Sequence, residues 1–312
     1  MVKPKLVFFG TSEICLPFLE VLKKRFDLEL IISQPDAYGG RNRKKILVPP
    51  VKVFAMQNNI PVEQPETLKD DILKDKIRAV EPALGVVIAY GKLIPRSVFT
   101  IPGNGMVNVH FSMLPLYRGA APVQRGIENG DTKTGITIFE LVKKMDAGPV
   151  WAQREFDILP DDTTETVWKR LSSEGAEFLA DTVVNILEGK IEKHPQDESK
   201  ATFARPVQKE EGLVDWTQTA RQIYNKFRAF TPWPGVCCEV AGKQFKLTNI
   251  KPAEDVSQDR QPGDVWAMDK KSLKVACGSG TVLEVIELQP QGKKPMTPYC
   301  YCLGNELPER FC

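Results

Sequence analysis

The chain has 312 residues, a length that suggests two domains at roughly 100–200 residues each. Hydrophobic residues make up 42% and charged residues 26%, which excludes a disordered, collagen-like or fibrous chain. No apolar run reaches about 18 residues, so no bilayer-spanning helix is expected, and a net charge of +2 points to no globally basic, nucleic-acid-coating surface.

From the N-terminus, KLVFF at 5–9 reads as a buried strand, and MVKPKLVFFG enters it without a signal-peptide pattern. Ile14, Phe18 and Leu22, spaced by four, predict a helix with Ser12 as its N-cap. LELIIS at 28–33 is a second strand, so the opening reads as a βαβ unit of a parallel sheet. LGVVIAYG at 84–91 and MVNVH at 106–110 are further continuous apolar runs, as strands covered on both faces should be. ITIFEL at 136–141 and PVWAQREFDI at 149–158 follow as strands. A long amphipathic helix is expected over 163–189, capped by Thr163 or Thr164 and stopped by Gly189.

The composition then turns polar, and 190–208 is expected to be a linker between a catalytic domain at 1–189 and a second domain at 209–312. That second domain opens with a short helix near 217–230. Short strand-like pieces such as GVCCEVAG, KQFKLTNI and SLKVACG follow and predict a small β-barrel.

The seven cysteines are odd in number and show no Cys-x-x-Cys, so neither a disulfide framework nor a zinc site is expected. They fit reduced thiols and a cytoplasmic protein. FFGTSE stands where a dinucleotide-binding Gly-x-Gly-x-x-Gly would follow the first strand, which argues against a nicotinamide enzyme. With two histidines in the chain, a multi-histidine metal site is excluded.

His194 sits between Lys193 and Pro195 in the polar stretch and reads as a surface histidine. His110 ends a strand at the edge where ligands of open α/β sheets bind. Asn108 is two residues earlier and therefore on the same face of the strand. Together they offer an amide donor and an imidazole. Asp146 lies in a tight turn, where a carboxylate alone is as often a turn-former as a functional group.

The segments NVHFSMLPLYRGAAPVQ and TGITIFELVKKMDAGPV resemble the formyltetrahydrofolate-dependent formyltransferases. That family often carries Asn-x-His, Ser-Leu-Leu-Pro, Arg-Gly-Ala-Ala-Pro and a later Asp-x-Gly. Gly-Ala-Ala-Pro-Val-Gln, the stretch GGRNRKKILVPPVK at 39–52, WPGVCCEV and LQPQGKKPMT resemble the members that formylate methionyl-tRNA. The resemblance spans nearly the whole chain. It implies a doubly wound, mostly parallel Rossmann-like α/β domain and a small OB-like β-barrel that binds tRNA. It implies 10-formyltetrahydrofolate as the formyl donor, no metal, and the amine of initiator methionyl-tRNA as acceptor.

The family's catalytic residues fall on Asn108, His110 and Asp146. Its folate contacts fall on Ser112, Met113, Leu114 and Pro115, and AYGKLIP, with Ala89, Tyr90 and Gly91, resembles the wall of the pterin pocket. The cluster Arg41, Arg43, Lys44 and Lys45 has the composition of an arm that contacts acceptor-stem phosphates. Three positions depart from the pattern. Met113 replaces Leu, a volume-conserving swap. Phe111 stands where Gly is common and is expected to narrow the loop. Pro149 follows Gly148 where Asp is usual and supplies no N–H. A nucleotide-sugar amine as acceptor, and a noncatalytic tRNA-binding relative, are the alternatives; the basic cluster and the retained Asn108, His110 and Asp146 weigh against them.

Overall fold

A computed structural model describes residues 2–39, 45–240, 243–257 and 259–311. The chain opens with β1 (Lys5–Gly10), α1 (Leu16–Arg25) and β2 (Asp27–Ile32). Ser12 precedes a 3₁₀ turn at Glu13–Cys15 and makes no side-chain capping bond, so α1 begins later than its apolar spacing suggests. β3 (Ala37–Gly39) pairs antiparallel with β4 (Lys45–Leu47). Then come α2 (Pro50–Gln57), β5 (Val62–Glu63), α3 (Asp71–Val80), β6 (Leu84–Ile88), α4 (Arg96–Phe99) and β7 (Met106–His110). β8 (Arg118–Gly119), α5 (Pro122–Asn129), β9 (Lys133–Glu140), β10 (Val150–Asp157), α6 (Thr164–Leu187) and β11 (Phe203–Ala204) complete this part of the chain.

Seven strands form one sheet in the order β10-β9-β7-β6-β1-β2-β5. β1 pairs parallel with β2 and β6, β6 with β7, and β2 with β5, whereas β9 runs antiparallel to β7. The sheet is therefore mostly parallel. Every residue of β6 is buried, as a strand covered on both faces requires. Val7 and Phe9, two apart on β1, join Leu30, Ile32 and Val87 on one face. Leu73 and Ile77, four apart on α3, close over them; burying each contributes about 1.5–3 kcal/mol. Asp70 caps that helix by accepting from the Ile72 N–H at 3.0 Å.

The chain divides into two compact units. The first comprises Met1–Pro122, Thr134–Phe156 and Trp168–Ala204 and holds the sheet; the second comprises Val123–Lys133, Asp157–Val167 and Arg205–Cys312. The second unit contains α7 (Ala220–Phe230), β12 (Val236–Val240), β13 (Lys243–Ala253), β14 (Val265–Met268), β15 (Leu273–Ala276), β16 (Val282–Pro290) and α8 (Pro298–Cys302). Its strands form an antiparallel sheet in the order β12-β13-β16-β15-β14. Five strands match the partly open OB-type architecture expected. Thr219 and Gln222 form a capping box at the start of α7.

Buried polar groups join the three stretches of the second unit. Arg228 donates to the Asp162 carbonyl at 3.0 Å, and the Tyr224 hydroxyl to Asp161 at 2.8 Å. Arg125, 8% exposed, donates to Glu128 at 2.6 Å, to both carboxylate oxygens of Glu211, and to the carbonyls of Arg205 and Pro206. Removing one partner of such a buried network leaves the rest unpaired. Arg125→Ala is expected to destabilise the chain by about 3–5 kcal/mol. Urea unfolding followed by circular dichroism measures this, and a loss under about 1 kcal/mol, the scale of an exposed ion pair, would contradict it.

Candidate active site

The candidate residues gather at the carboxyl end of β7. Its register places Asn108 opposite Phe139 and His110 opposite Thr137 of β9. Asn108 and His110 lie on one face of the strand, Asn108 half-buried and His110 6% exposed. The His110 ring meets Phe139 edge-on at 6.4 Å.

His110 Nε2 lies 2.8 Å from the Tyr117 carbonyl oxygen. A carbonyl only accepts, so Nε2 carries the hydrogen. In the neutral ring Nδ1 is then unprotonated, and it faces Asp146 Oδ2 at 3.8 Å. Burial pulls the His110 pKa below its usual value, and the Asp146 charge and the Tyr117 bond oppose this without reversing it. The resting pair is thus a neutral imidazole beside a carboxylate, not an ion pair.

Asp146 stands in a strained turn with φ 49°, and Tyr117 has φ 59°. Asp146 Oδ2 accepts from the Gly119 N–H at 2.7 Å. Gly119 has φ 125°, and a Cβ there would run into the Ala204 carbonyl, so this donor needs glycine. Pro149 has no N–H, and its carbonyl accepts from Glu140 at 2.9 Å. The turn is held through its carbonyls: Gln196 Nε2 donates to Asp146 O at 2.8 Å and Gly148 O at 2.7 Å.

The loop after His110 is fixed from β9 and β10. The Thr137 hydroxyl donates to Ser112 O at 2.6 Å and accepts from Leu114 N and from Gln153, which also donates to Leu114 O. Ser112 and Leu114 are buried, Met113 and Pro115 half-buried. Phe111 turns its ring into the core against Phe18 at 6.3 Å. After β6, Ala89 and Gly91 are exposed and both have positive φ. The Tyr90 carbonyl between them accepts from Thr11 and Gln34, whereas its ring packs edge-on to Phe9 in the core.

Of the basic cluster, Arg41, Arg43 and Lys44 lie outside the described residues; Lys45 is exposed at the start of β4. His194 pairs with Val150 through backbone bonds and is far in sequence from the His110 loop. Sequence reasoning missed Thr137, Gln153 and Gln196. All three act through ordinary polar side chains in segments read as strand or linker, and nothing local marks them. Among the described residues, no group of three or more His, Cys, Asp or Glu could hold a metal ion, and no helix is long and apolar enough to cross a membrane.

The mostly parallel sheet thus carries, at the carboxyl end of β7, a histidine 3.8 Å from a carboxylate, with an amide two residues earlier on the same face of the strand. Residues 5–183 match the formyl transferase family and 206–306 the formyl transferase C-terminal domain, and the chain belongs to this family. It is 40% identical over 300 residues to a methionyl-tRNA formyltransferase of Listeria monocytogenes serotype 4b, covering 96% of this chain and 95% of that one. A Geobacter metallireducens methionyl-tRNA formyltransferase is 37% identical over 303 residues, covering 97% and 96%. Among solved structures, a Helicobacter canadensis N-formyltransferase in complex with folinic acid and dTDP-3-aminofucose shares the fold. It has a TM-score of 0.68 at 15% identity, over 92% of this chain and 99% of that one. HypX from Aquifex aeolicus in complex with tetrahydrofolic acid aligns at TM-score 0.64 and 18% identity, over 97% of this chain and 47% of the longer HypX chain.

If neutral His110 is the working form, activity falls as pH drops through its folded-state pKa, which lies below about 6.5. Asp146→Asn removes a charge that raises that pKa, so the acidic limb of the rate profile should move lower still. A pH series of kcat/KM on both proteins checks the sign: ionisation of the substrate amine is common to both, so a limb moved upward by the substitution would contradict the assignment.

Proposed function

We propose that the chain transfers a formyl group from 10-formyltetrahydrofolate to the α-amine of methionine esterified to initiator tRNA. The observation that carries this reading is the buried imidazole of His110, with Nδ1 facing Asp146 at 3.8 Å at the carboxyl end of β7. The chain's 40% identity to a methionyl-tRNA formyltransferase supports this choice of acceptor.

10-Formyltetrahydrofolate supplies the activated formyl group. The α-amine, with a reference pKa of about 7.7–8.0 that its ester lowers further, is a sufficient nucleophile near neutral pH. What remains for the chain is to bind, to stabilise charge and to handle one proton. The half-buried Asn108 amide donates to the formyl oxygen as negative charge develops there. His110 accepts the amine proton at Nδ1, and Asp146 stabilises the imidazolium and keeps the ring oriented. Nε2 stays bonded to the Tyr117 carbonyl throughout, so ring and loop keep one geometry. His110 then returns the proton to the departing nitrogen.

The donor set fits a pterin. The turn at Ala89, Tyr90 and Gly91 has positive φ at its two exposed positions, which leaves backbone open to a flat heterocycle. The family pattern assigns Ser112, Met113, Leu114 and Pro115 to the same pocket. Arg41, Arg43, Lys44 and Lys45 supply an arm for acceptor-stem phosphates.

His110→Ala and Asn108→Ala should each lower kcat by about 10²-fold or more without unfolding the chain. Formylation of methionyl-tRNA, free methionine and amino-sugar nucleotides tests acceptor and catalyst together; turnover only on a sugar nucleotide would overturn the reading. Neutralising the four arm residues should raise KM for methionyl-tRNA and flatten its dependence on salt, because fewer counterions are released. Folate affinity should hold, and an unchanged salt slope would remove the arm from the RNA interface.

A further inference from the structure

Gln196 lies in a polar stretch, 50 residues from Asp146 in sequence. Its amide uses both ends. Nε2 donates to the carbonyls of Asp146 and Gly148, and Oε1 accepts from Arg118 Nε at 3.1 Å and Nη2 at 2.7 Å. Arg118 is 1% exposed and immediately precedes Gly119, whose N–H holds the Asp146 carboxylate. The other side of the Arg118 guanidinium makes a two-point contact with Glu198 at 2.8 and 3.1 Å, and Glu198 also binds Lys144 at 2.6 Å. Arg118 and Lys144 hold the Glu198 carboxyl down at about 2, so this anchor stays charged throughout the neutral range.

Asp146 is thereby gripped from both directions. Its carboxylate bonds to Gly119 N, and its own carbonyl to Gln196. Both grips refer back to one buried side chain, Arg118. The turn needs such a grip, because φ 49° at Asp146 is sparsely populated for a residue with a Cβ. Pro149 removes one N–H from the turn, and the Asp146 and Gly148 carbonyls carry its bonds to Gln196.

We propose that Gln196 is a positioning residue for formyl transfer: it fixes the Asp146 turn against Arg118 and thereby sets the Asp146 carboxylate at His110. This rests on the reading of Asp146 as a catalytic group. The Gln196 side chain bonds to Arg118 and to the Asp146 and Gly148 carbonyls, so its effect on rate passes through the Asp146 turn.

Gln196→Glu separates this role from simple satisfaction of Arg118. The variant still offers Arg118 an acceptor, and a charged one, but sets carboxylate oxygens against two carbonyls where an N–H donor stood. The test compares wild type, Gln196→Glu, Asp146→Asn and the double variant as full-length chains, by kcat and KM for methionyl-tRNA and by melting temperature. Residual turnover is measured with enzyme in excess. The expected result is a fall in kcat on the order of 10- to 10²-fold for Gln196→Glu, with KM within about 2-fold, as a misplaced group produces. In the Asp146→Asn background the same substitution should then change kcat little, because the two effects share one path.

Gln196→Glu with full turnover beside an impaired Asp146→Asn would overturn the proposal. An equal loss in both backgrounds would overturn it too, since Gln196 would then act independently of Asp146. Full turnover of Asp146→Asn would instead sink the reading of Asp146, and this proposal with it. If Gln196→Glu melts well below wild type, Gln196→Met, of similar volume and without a donor, carries the same comparison.

Discussion

A histidine at the buried end of a strand must decide where its one neutral-state proton sits, and here the Tyr117 carbonyl decides it. The carbonyl can only accept, so it fixes the hydrogen on Nε2 and leaves Nδ1 as the basic atom. Burial keeps the ring neutral, and Asp146 waits at a distance that favours the imidazolium once it forms. Had Asp146 been the hydrogen-bonded partner instead, the hydrogen would sit on Nδ1 and Nε2 would be the basic atom. The tautomer, and with it the direction of proton transfer in the proposed mechanism, follows from one backbone carbonyl placed by a residue with positive φ.

The sheet explains why that placement is rigid. β7 lies between parallel β6, which pairs with it as far as Asn108, and antiparallel β9, which pairs with it as far as His110, so β9 holds its end. Thr137, directly opposite His110, spends its hydroxyl proton and one lone pair on the loop that follows His110, and its other lone pair on Gln153, which also donates to that loop. The loop cannot move without leaving buried polar groups unpaired, at a cost of about 1–3 kcal/mol each. Strain therefore collects in the turns around the site. Ala89, Tyr117 and Asp146 are three of the six non-glycine residues with positive φ among those described. Such conformations persist where surrounding bonds over-determine them, and Thr11, Gln34, Gly119 and Gln196 supply those bonds.

Much of this was legible in residues alone, for physical reasons. Continuous apolar runs at β1, β2, β6 and β7 mark strands buried on both faces, and period two put Asn108 and His110 on one side. The formyltransferase pattern led to Asp146. Ser12 misled because its spacing suits an N-cap, yet a 3₁₀ turn intervenes before α1. Phe111 suggested a narrowed loop, but its ring found space beside Phe18, a contact between segments 93 residues apart that no local pattern carries. Arg118 was visible only as part of a motif. That it is nearly the most deeply buried polar side chain, satisfied by Gln196 and Glu198, depends on a long return of the chain that composition reads as solvated.

Polar composition predicts exposure on average, and Glu198, at 54%, obeys it. The segment nevertheless works because only one end of each long side chain needs to be wet. Glu198 keeps its carboxylate at the surface while neutralising a guanidinium that is fully inside. An isolated buried arginine would cost several kcal/mol in lost hydration. Glu198 and Gln196 offset that cost and so permit a cation beneath the Asp146 turn. The same cation rigidifies the peptide that presents Gly119 N–H to the Asp146 carboxylate. A surface carboxylate thus holds the Asp146 carboxylate at second hand, through charge at one end of Arg118 and backbone geometry at the other.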